Sequence, residues 1–200
     1  IEQYWTAQTS EHIQVASHSF ESLEHIFGQC LDVCASAVMS GNKILFCGNG
    51  GSASDAQHLA TELSVRFIKD RKPIPAISLT LDATALTACA NDLGFESIFA
   101  RQIESLGSEG DILIALSTSG NSPNVLQALE QAKTQGLISI GFGGKDGGQM
   151  AEHCDIPLIV PSHTTARIQE MHITLGHMLC GALEQRLGLV DVEASAAAIA

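Results

Sequence analysis

The chain has 200 residues, of which 45% are hydrophobic and 16% are charged. This composition supports one sizeable core, and the length leaves no room for two full domains, so we expect one globular domain. Ten Lys and Arg residues stand against 22 Asp and Glu residues, which gives a formal net charge of -12 at pH 7. Such an acidic chain is not expected to bind nucleic acid by neutralising phosphates, and it must bind any small anion through local geometry.

The first predicted elements are helical. Apolar residues recur at mostly three- and four-residue intervals over 8–40, with Gly28 inside this stretch and Gly41 and Asn42 after it. Glycine is a poor helix former and a common helix stop. The pattern therefore predicts two N-terminal helices that are separated near Gly28.

Short apolar runs then alternate with helical patterns. The runs are predicted to be strands buried on both faces, and they cover 43–47, 76–79, 111–117, 137–142 and 156–160. The helical patterns between them cover about 53–68, 83–105, 122–135 and 148–153. Regular alternation of this kind predicts right-handed crossovers and a doubly wound, flavodoxin-like α/β fold, with a five-stranded parallel sheet flanked by helices.

The last predicted element is a long helix over about 166–187. It has no proline and is apolar around much of its circumference, more than one face of a sheet can cover. We therefore expect part of this helix to contact another subunit. The predicted single domain spans 1–188, and 189–200 is a tail without any motif.

Cysteine usage and hydropathy bear on the cellular compartment. The six cysteines lie in apolar stretches without a C-x-x-C pair, which favours free buried thiols over a disulfide framework or a zinc ribbon. No basic segment followed by an apolar run opens the sequence, and no stretch of about 18 apolar residues occurs. We expect a cytoplasmic protein that does not contact the membrane.

A glycine-rich loop follows the first predicted strand, with the sequence CGNGGS at 47–52. Glycines allow the backbone to turn sharply and to present N–H groups to an anion at the start of a helix. The alternative is a plain strand-to-helix turn in which Ser52 is the N-cap. The loop matches neither common nucleotide-binding pattern, which makes a nucleotide ligand a weak hypothesis.

A hydroxyl-rich loop, STSGNSP at 117–123, follows the third predicted strand. Its Ser and Thr side chains offer neutral donors to a phosphate without Lys or Arg, in agreement with the acidic composition. A capped turn would need only one of these hydroxyls, so we favour a phosphate site. Pro123 suits the first position of the helix that follows.

Two helices carry residues that could bind a metal. His58 and Glu62 are four residues apart and share one helix face, while Gln169 and His177 are about 80° apart around the last helix. Imidazole, carboxylate and amide groups suit zinc or another divalent first-row ion. By spacing alone, an exposed His–Glu pair on a helix is the favoured explanation of the first two, and His172 is an equally plausible ligand.

Several motifs together resemble the sugar-isomerase (SIS) family, and within it the bacterial sedoheptulose 7-phosphate isomerases. The resemblance extends to about residue 188 and rests on seven segments in order, at 47–52, 56–63, 90–92, 110–113, 117–122, 144–148 and 167–172. It implies a phosphosugar aldose-ketose isomerase for heptose and lipopolysaccharide biosynthesis. It also implies a homotetramer whose active sites lie between subunits, with one Zn²⁺ per subunit.

The same resemblance assigns roles to individual residues. It implies that the zinc ligands are His58, Glu62, Gln169 and His177, and that Glu62 and His177 also transfer protons. The implied substrate-binding residues are Asn49, Gly50, Gly51, Glu62, Asn91, Asp92, Ser117, Thr118, Ser119, Ser122 and Gln169.

One departure from the family pattern leaves an alternative function open. Many members carry an acidic residue shortly before the RIQE stretch, where this chain has Ala166. A related branch of DnaA initiator-associating proteins has a similar run on the same fold, and a non-catalytic phosphosugar-binding protein would keep both loops. That branch lacks the full set of residues that correspond to His58, Glu62 and His177. This chain has all three, so we favour the enzyme.

Overall fold

The computed structural model describes residues 1–191. At its centre lies a five-stranded sheet in the order β2-β1-β3-β4-β5, and each neighbouring pair of strands is parallel. The strands are β1 (Ile44–Gly48), β2 (Ala76–Ser78), β3 (Ile112–Leu116), β4 (Ile138–Gly144) and β5 (Ile156–Val160). The predicted doubly wound α/β fold is confirmed.

The helices flank this sheet on both faces. They are α1 (Glu2–Met39), α2 (Gly51–Ser64), α3 (Ala83–Asp92), α4 (Ala100–Leu106), α5 (Pro123–Thr134), α6 (Met150–His153) and α7 (Thr165–Arg186), with a 3-10 turn at Phe95–Ser97. No helix within residues 1–191 is long and apolar enough to cross a membrane.

Alternating strand residues divide the core into two layers. Ile44 and Phe46 of β1 pack in the layer formed with α1, α2 and α7, whereas Leu45 and Cys47 pack in the layer formed with α4, α5 and α6. All residues of β1 and β3 are buried, as expected for the centre of a parallel sheet. The expectation of burial on both faces is wrong for β2, because this edge strand leaves Ile77 38% exposed.

The two predicted N-terminal helices are one helix of 38 residues, α1. Gly28 does not break this helix. A Cβ at Gly28 would meet nothing within 4 Å, so no close approach of another segment forces the backbone to turn there. Glycine inside a helix costs about 1 kcal/mol, and the burial of Leu23, Cys30 and Cys34 on the inner side offsets that cost.

The helical pattern predicted over 83–105 is instead interrupted. Gly94 has φ 98°, which ends the helical path after α3, and the 3-10 turn leads into α4. As a result α3 stands on the surface with no fully buried residue.

Helix α7 packs against α1 and α2 and against strands β4 and β5. Ten of its residues are buried, and Met178 remains 43% exposed. Most of the apolar surface from which we predicted a contact with another subunit is therefore covered within the chain. Large apolar side chains are instead exposed on the first half of α1, at Tyr4, Trp5 and Ile13.

Candidate functional site

The two candidate loops lie side by side at the carboxyl edge of the sheet. β1 and β3 are neighbouring parallel strands, so the loops that follow them emerge together. A reciprocal amide pair joins the loops: Asn49 Nδ2 donates to Asn124 Oδ1, and Asn124 Nδ2 donates to Asn49 Oδ1, both at 2.8 Å. Asn124 is only 1% exposed, which makes this link a built part of the fold.

The glycine-rich loop turns directly into α2. Gly50 has φ 57° and occupies the N-cap position, and the helix begins at Gly51. The alternative in which Ser52 caps the helix is wrong, because Ser52 lies inside the first turn and is buried. With no side chain capping the helix, backbone N–H groups at this end remain available to a ligand.

The hydroxyl-rich loop presents its side chains at the start of α5. Ser117 and Ser122 Oγ atoms are 3.1 Å apart, and Ser119 Oγ accepts a hydrogen bond from the backbone N–H of Asn121 at 3.2 Å. Thr118 and Ser119 are half-buried. Pro123 occupies the first turn of α5 after Ser122, as predicted. Hydroxyl groups and a helix start thus lie together here, an arrangement that can bind a phosphate.

A second turn, at 144–149, fixes the shape of the hydroxyl-rich loop. Asn121 Oδ1 accepts from the backbone N–H of Gln149 at 3.0 Å, while its Nδ2 donates to the Ser119 carbonyl at 2.9 Å. Gly120 has φ 64°, and a Cβ there would lie 1.9 Å from the carbonyl oxygen of Gly147. The backbones of the two turns are therefore in direct contact.

Three of the predicted metal ligands come together between α2 and α7. His58 Nε2 is 2.8 Å from His177 Nε2 and 3.4 Å from Glu62 Oε1. Phe67 stacks on the His177 ring, with centroids 5.5 Å apart and an interplanar angle of 26°. Burial lowers the pKa of His177, nearby His58 lowers it further, and Glu62 acts in the opposite direction. The lowered pKa favours the neutral imidazole form of His177.

The chemistry of this cluster suits a metal, but its spacing is that of a hydrogen-bonded group. Two imidazole nitrogens bound to one tetrahedral zinc would be about 3.3 Å apart. The Nε2 atoms of His58 and His177 are closer, at 2.8 Å. Within residues 1–191, no group of three or more His, Cys, Asp or Glu side chains has metal-site geometry. The donor types fit Zn²⁺, provided that the two rings separate slightly.

The other two candidate ligands lie elsewhere. The carboxamide nitrogen of Gln169 is 2.6 Å from where a Cβ on Gly51 would be, so Gln169 covers the start of α2. His172 is completely buried, and its Nε2 lies 2.9 Å from the Gly143 carbonyl oxygen. Burial lowers the pKa of His172 to about 4. The plausible ligand role for His172 is wrong, because its ring points into the core.

Asn91 and Asp92 occupy the exposed end of α3. Asn91 Nδ2 donates to Asp92 Oδ1 at 2.7 Å. Helix α3 packs mainly on the 3-10 turn rather than on α2, α5 or α7, which carry the other candidate residues. Within one chain, this pair is thus not part of the cluster formed by the two loops and the histidines.

Sequence reasoning missed two residues of the site. Asn124 joins the loops, and Phe67 packs on His177. The only sequence signal for Asn124 was an amide at the start of a helix that follows a hydroxyl-rich loop. Phe67 follows α2, and no spacing rule links it to His177.

The chain resembles known proteins along most of its length. Residues 9–144 match the SIS domain. The phosphoheptose isomerase of Paramagnetospirillum magneticum is 51% identical over 177 residues, 88% of this chain and 92% of that protein. The phosphoheptose isomerase of Helicobacter pylori is 51% identical over 174 residues, 87% of this chain and 91% of that protein.

Solved structures give the same picture. The structure of phosphoheptose isomerase GmhA from Neisseria gonorrhoeae superposes with a TM-score of 0.87 at 38% identity, covering 92% of this chain and 98% of that one. A phosphoheptose isomerase from Francisella tularensis superposes with a TM-score of 0.89 at 37% identity, covering 92% of this chain and 97% of that one.

Proposed function

The chain belongs to the SIS domain family and is a phosphosugar isomerase, and from that premise we propose that it converts sedoheptulose 7-phosphate to D-glycero-D-manno-heptose 7-phosphate. The observation that carries the proposal is the joined pair of loops beside the acid-base cluster, which consists of His58 and Glu62 of α2 and His177 of α7. Gly51 and His58 are seven residues apart on α2, a rise of about 10 Å. An extended seven-carbon sugar phosphate has a comparable length.

The substrate phosphate would bind Ser117, Thr118, Ser119 and Ser122, and Asn49, Gly50 and Gly51 would contact the neighbouring part of the sugar. This position satisfies the phosphate with hydroxyls and helix-start N–H groups, and it needs no cation. Gln169, which covers Gly51, would contact the sugar chain between the phosphate and the reacting carbons.

The isomerisation moves a carbonyl from C2 to C1 through an enediol. One group must take the proton from C1 and deliver it to C2, and another must move a proton from the C1 oxygen to the C2 oxygen. We assign these tasks to Glu62 and His177, and the assignment is supported by the position of both side chains next to His58. A Zn²⁺ ion would be held by His58, Glu62 and His177, and by Gln169 once its side chain turns from Gly51 towards them, and it would supply Lewis-acid polarisation of the substrate oxygens.

We propose further that the enzyme acts in the cytoplasm, in heptose supply for lipopolysaccharide, as a homotetramer. The exposed apolar side chains on α1 and the isolated position of Asn91 and Asp92 support an assembly in which a neighbouring chain completes the site. A mass measurement in solution should give four chains per particle. A monomer at micromolar concentration would contradict the assembly.

The phosphate position can be tested with Ser119→Ala. Losing this hydroxyl should weaken phosphosugar binding by about 1 kcal/mol or more, the scale of one hydrogen bond. Isothermal titration with sedoheptulose 7-phosphate measures this change, and Ser22→Ala on the exposed face of α1 is a matched control. If Ser117→Ala, Ser119→Ala and Ser122→Ala all keep the parental affinity, the phosphate binds elsewhere.

No observation favours the alternative of a non-catalytic phosphosugar-binding or DnaA initiator-associating protein. Such a protein would keep both loops but would not need Glu62 and His177 to lie close to His58. The two functions predict opposite effects of changing Glu62, since only the enzyme depends on proton transfer by this residue.

A further inference from the structure

A buried ion pair lies behind the acid-base cluster. Arg71, in the segment between α2 and β2, donates from Nε to Glu184 Oε1 of α7 at 2.7 Å. The two side chains are 1% and 0% exposed. Removing two charges from water costs several kcal/mol per ion, which the fold recovers only with good geometry and further hydrogen bonds. The positions of those further bonds thus indicate what the pair does.

Arg71 caps the end of α2. Its Nη2 donates to the carbonyl oxygen of Glu62 and its Nη1 donates to that of Leu63, both at 2.7 Å, with a longer contact from Nη1 to Val65 at 3.3 Å. The Glu62 and Leu63 carbonyls lie in the last turn of α2, where they have no partner within the helix, and Leu63 also accepts from the backbone N–H of Ile74 at 3.0 Å. The last turn of α2 contains no basic residue. Arg71 therefore supplies the positive charge that this end of the helix favours.

Glu184 links the same pair to the other side of the cluster. Its Oε1 also accepts from the backbone N–H of Phe67 at 3.2 Å. The Phe67 ring then stacks on His177, and one of its edge carbons lies 3.3 Å from where a Cβ on Gly181 would be. Glu184 thus fixes the residue that packs against His177.

We propose that Arg71 is a positioning residue which, with Glu184, sets the distance between Glu62 and His177. The inference rests on the proposed function, because it assigns the pair a role in the same reaction. One guanidinium contacts the backbone of Glu62 directly and reaches His177 through Glu184 and Phe67. A lysine cannot make these bonds together, since an ammonium lacks the planar fork.

The variant Arg71→Lys tests the proposal, because it keeps the charge and removes the fork. Measured well below the melting temperature, kcat should fall about tenfold or more, the usual effect of losing a residue that orients ligands. KM for sedoheptulose 7-phosphate should stay within about twofold, because Arg71 makes no hydrogen bond to the glycine-rich loop or the hydroxyl-rich loop. Zinc affinity, measured by titrating the metal-free protein, should fall about tenfold as well.

The matched control is Arg186→Lys. Arg186 also lies on α7 and pairs with a carboxylate at 2.7 Å, that of Asp32, but both side chains are more than half exposed. This variant should keep kcat, KM and zinc affinity. A residue that only stabilised the fold would lower the melting temperature without separating kcat from KM.

Glu184→Gln provides the second variant in case Arg71→Lys does not fold, because glutamine keeps the shape and one acceptor oxygen. It should also lower kcat and zinc affinity while KM is retained. Folded Arg71→Lys or Glu184→Gln protein with parental kcat and zinc affinity would overturn the proposal. Failure of the proposed function is distinct from this result, since the parental protein would then show no isomerisation at all.

Discussion

Glu62→Gln is expected to lower the isomerisation rate by about a hundredfold or more, the usual contribution of a general acid-base group. Glutamine keeps the length of the side chain and an oxygen that can bind a metal, but it cannot accept a proton near neutral pH. The hydroxyl-rich loop is untouched, so phosphosugar binding should survive. The measurement is kcat and KM for sedoheptulose 7-phosphate, together with melting temperature and bound metal.

Two comparisons make the result interpretable. His177→Gln should be impaired on a similar scale, because His177 is the other member of the proton-transfer pair. Glu104→Gln removes a helical carboxylate of a different kind, one that is 55% exposed and paired with Arg101 on α4. Losing such a surface pair costs about 0.3 to 0.5 kcal/mol of stability and no rate. Parental turnover in Glu62→Gln would refute the mechanism even though the fold is right.

Gly120→Ala should lower the free energy of unfolding by at least about 3 kcal/mol, through backbone strain and overpacking together. Alanine at φ 64° is strained in itself, and its Cβ would lie 1.9 Å from a backbone oxygen that cannot move aside as a flexible side chain would. Chemical denaturation measures the loss. Phosphosugar affinity should fall with it, because Ser119 and Ser122 flank the displaced residue.

Gly188→Ala separates the two causes. Gly188 has nearly the same backbone angle, φ 66°, but a Cβ there would meet nothing within 4 Å. Its substitution should cost only the left-handed strain, about 1 to 2 kcal/mol, with no change in substrate affinity. Equal losses in the two variants would mean that the contact between Gly120 and Gly147 contributes nothing.

The sequence was sufficient to predict the sheet because each strand carries a local signal. Buried parallel strands have continuous apolar runs, and the runs at 111–117 and 156–160 match β3 and β5 within a residue at each end. The ends of the helices were harder to predict, because whether a glycine ends a helix depends on the backbone angle that the fold gives it. Gly28 faces open space and interrupts nothing, whereas Gly94 adopts a positive φ and ends the helical path.

The candidate site divides in the same way. His58 and Glu62 could be paired from their spacing on one helix, and both loops from their composition. The residues that organise the site make contacts between distant parts of the chain, such as the Asn49–Asn124 pair and the Arg71–Glu184 pair. Neither residue of such a pair stands out locally, so these links can be identified only once the fold has brought the elements together.

The most direct test is to incubate the purified protein with sedoheptulose 7-phosphate after removing metal with a chelator, and again after adding Zn²⁺. Formation of the aldose D-glycero-D-manno-heptose 7-phosphate can be followed by NMR, with the Glu62→Gln variant in parallel. We predict product from the zinc-loaded parental protein, little after chelation, recovery on adding Zn²⁺, and almost none from Glu62→Gln. Undiminished conversion after complete metal removal would contradict the role of the metal, and no conversion by folded, zinc-loaded protein would contradict the proposed function itself.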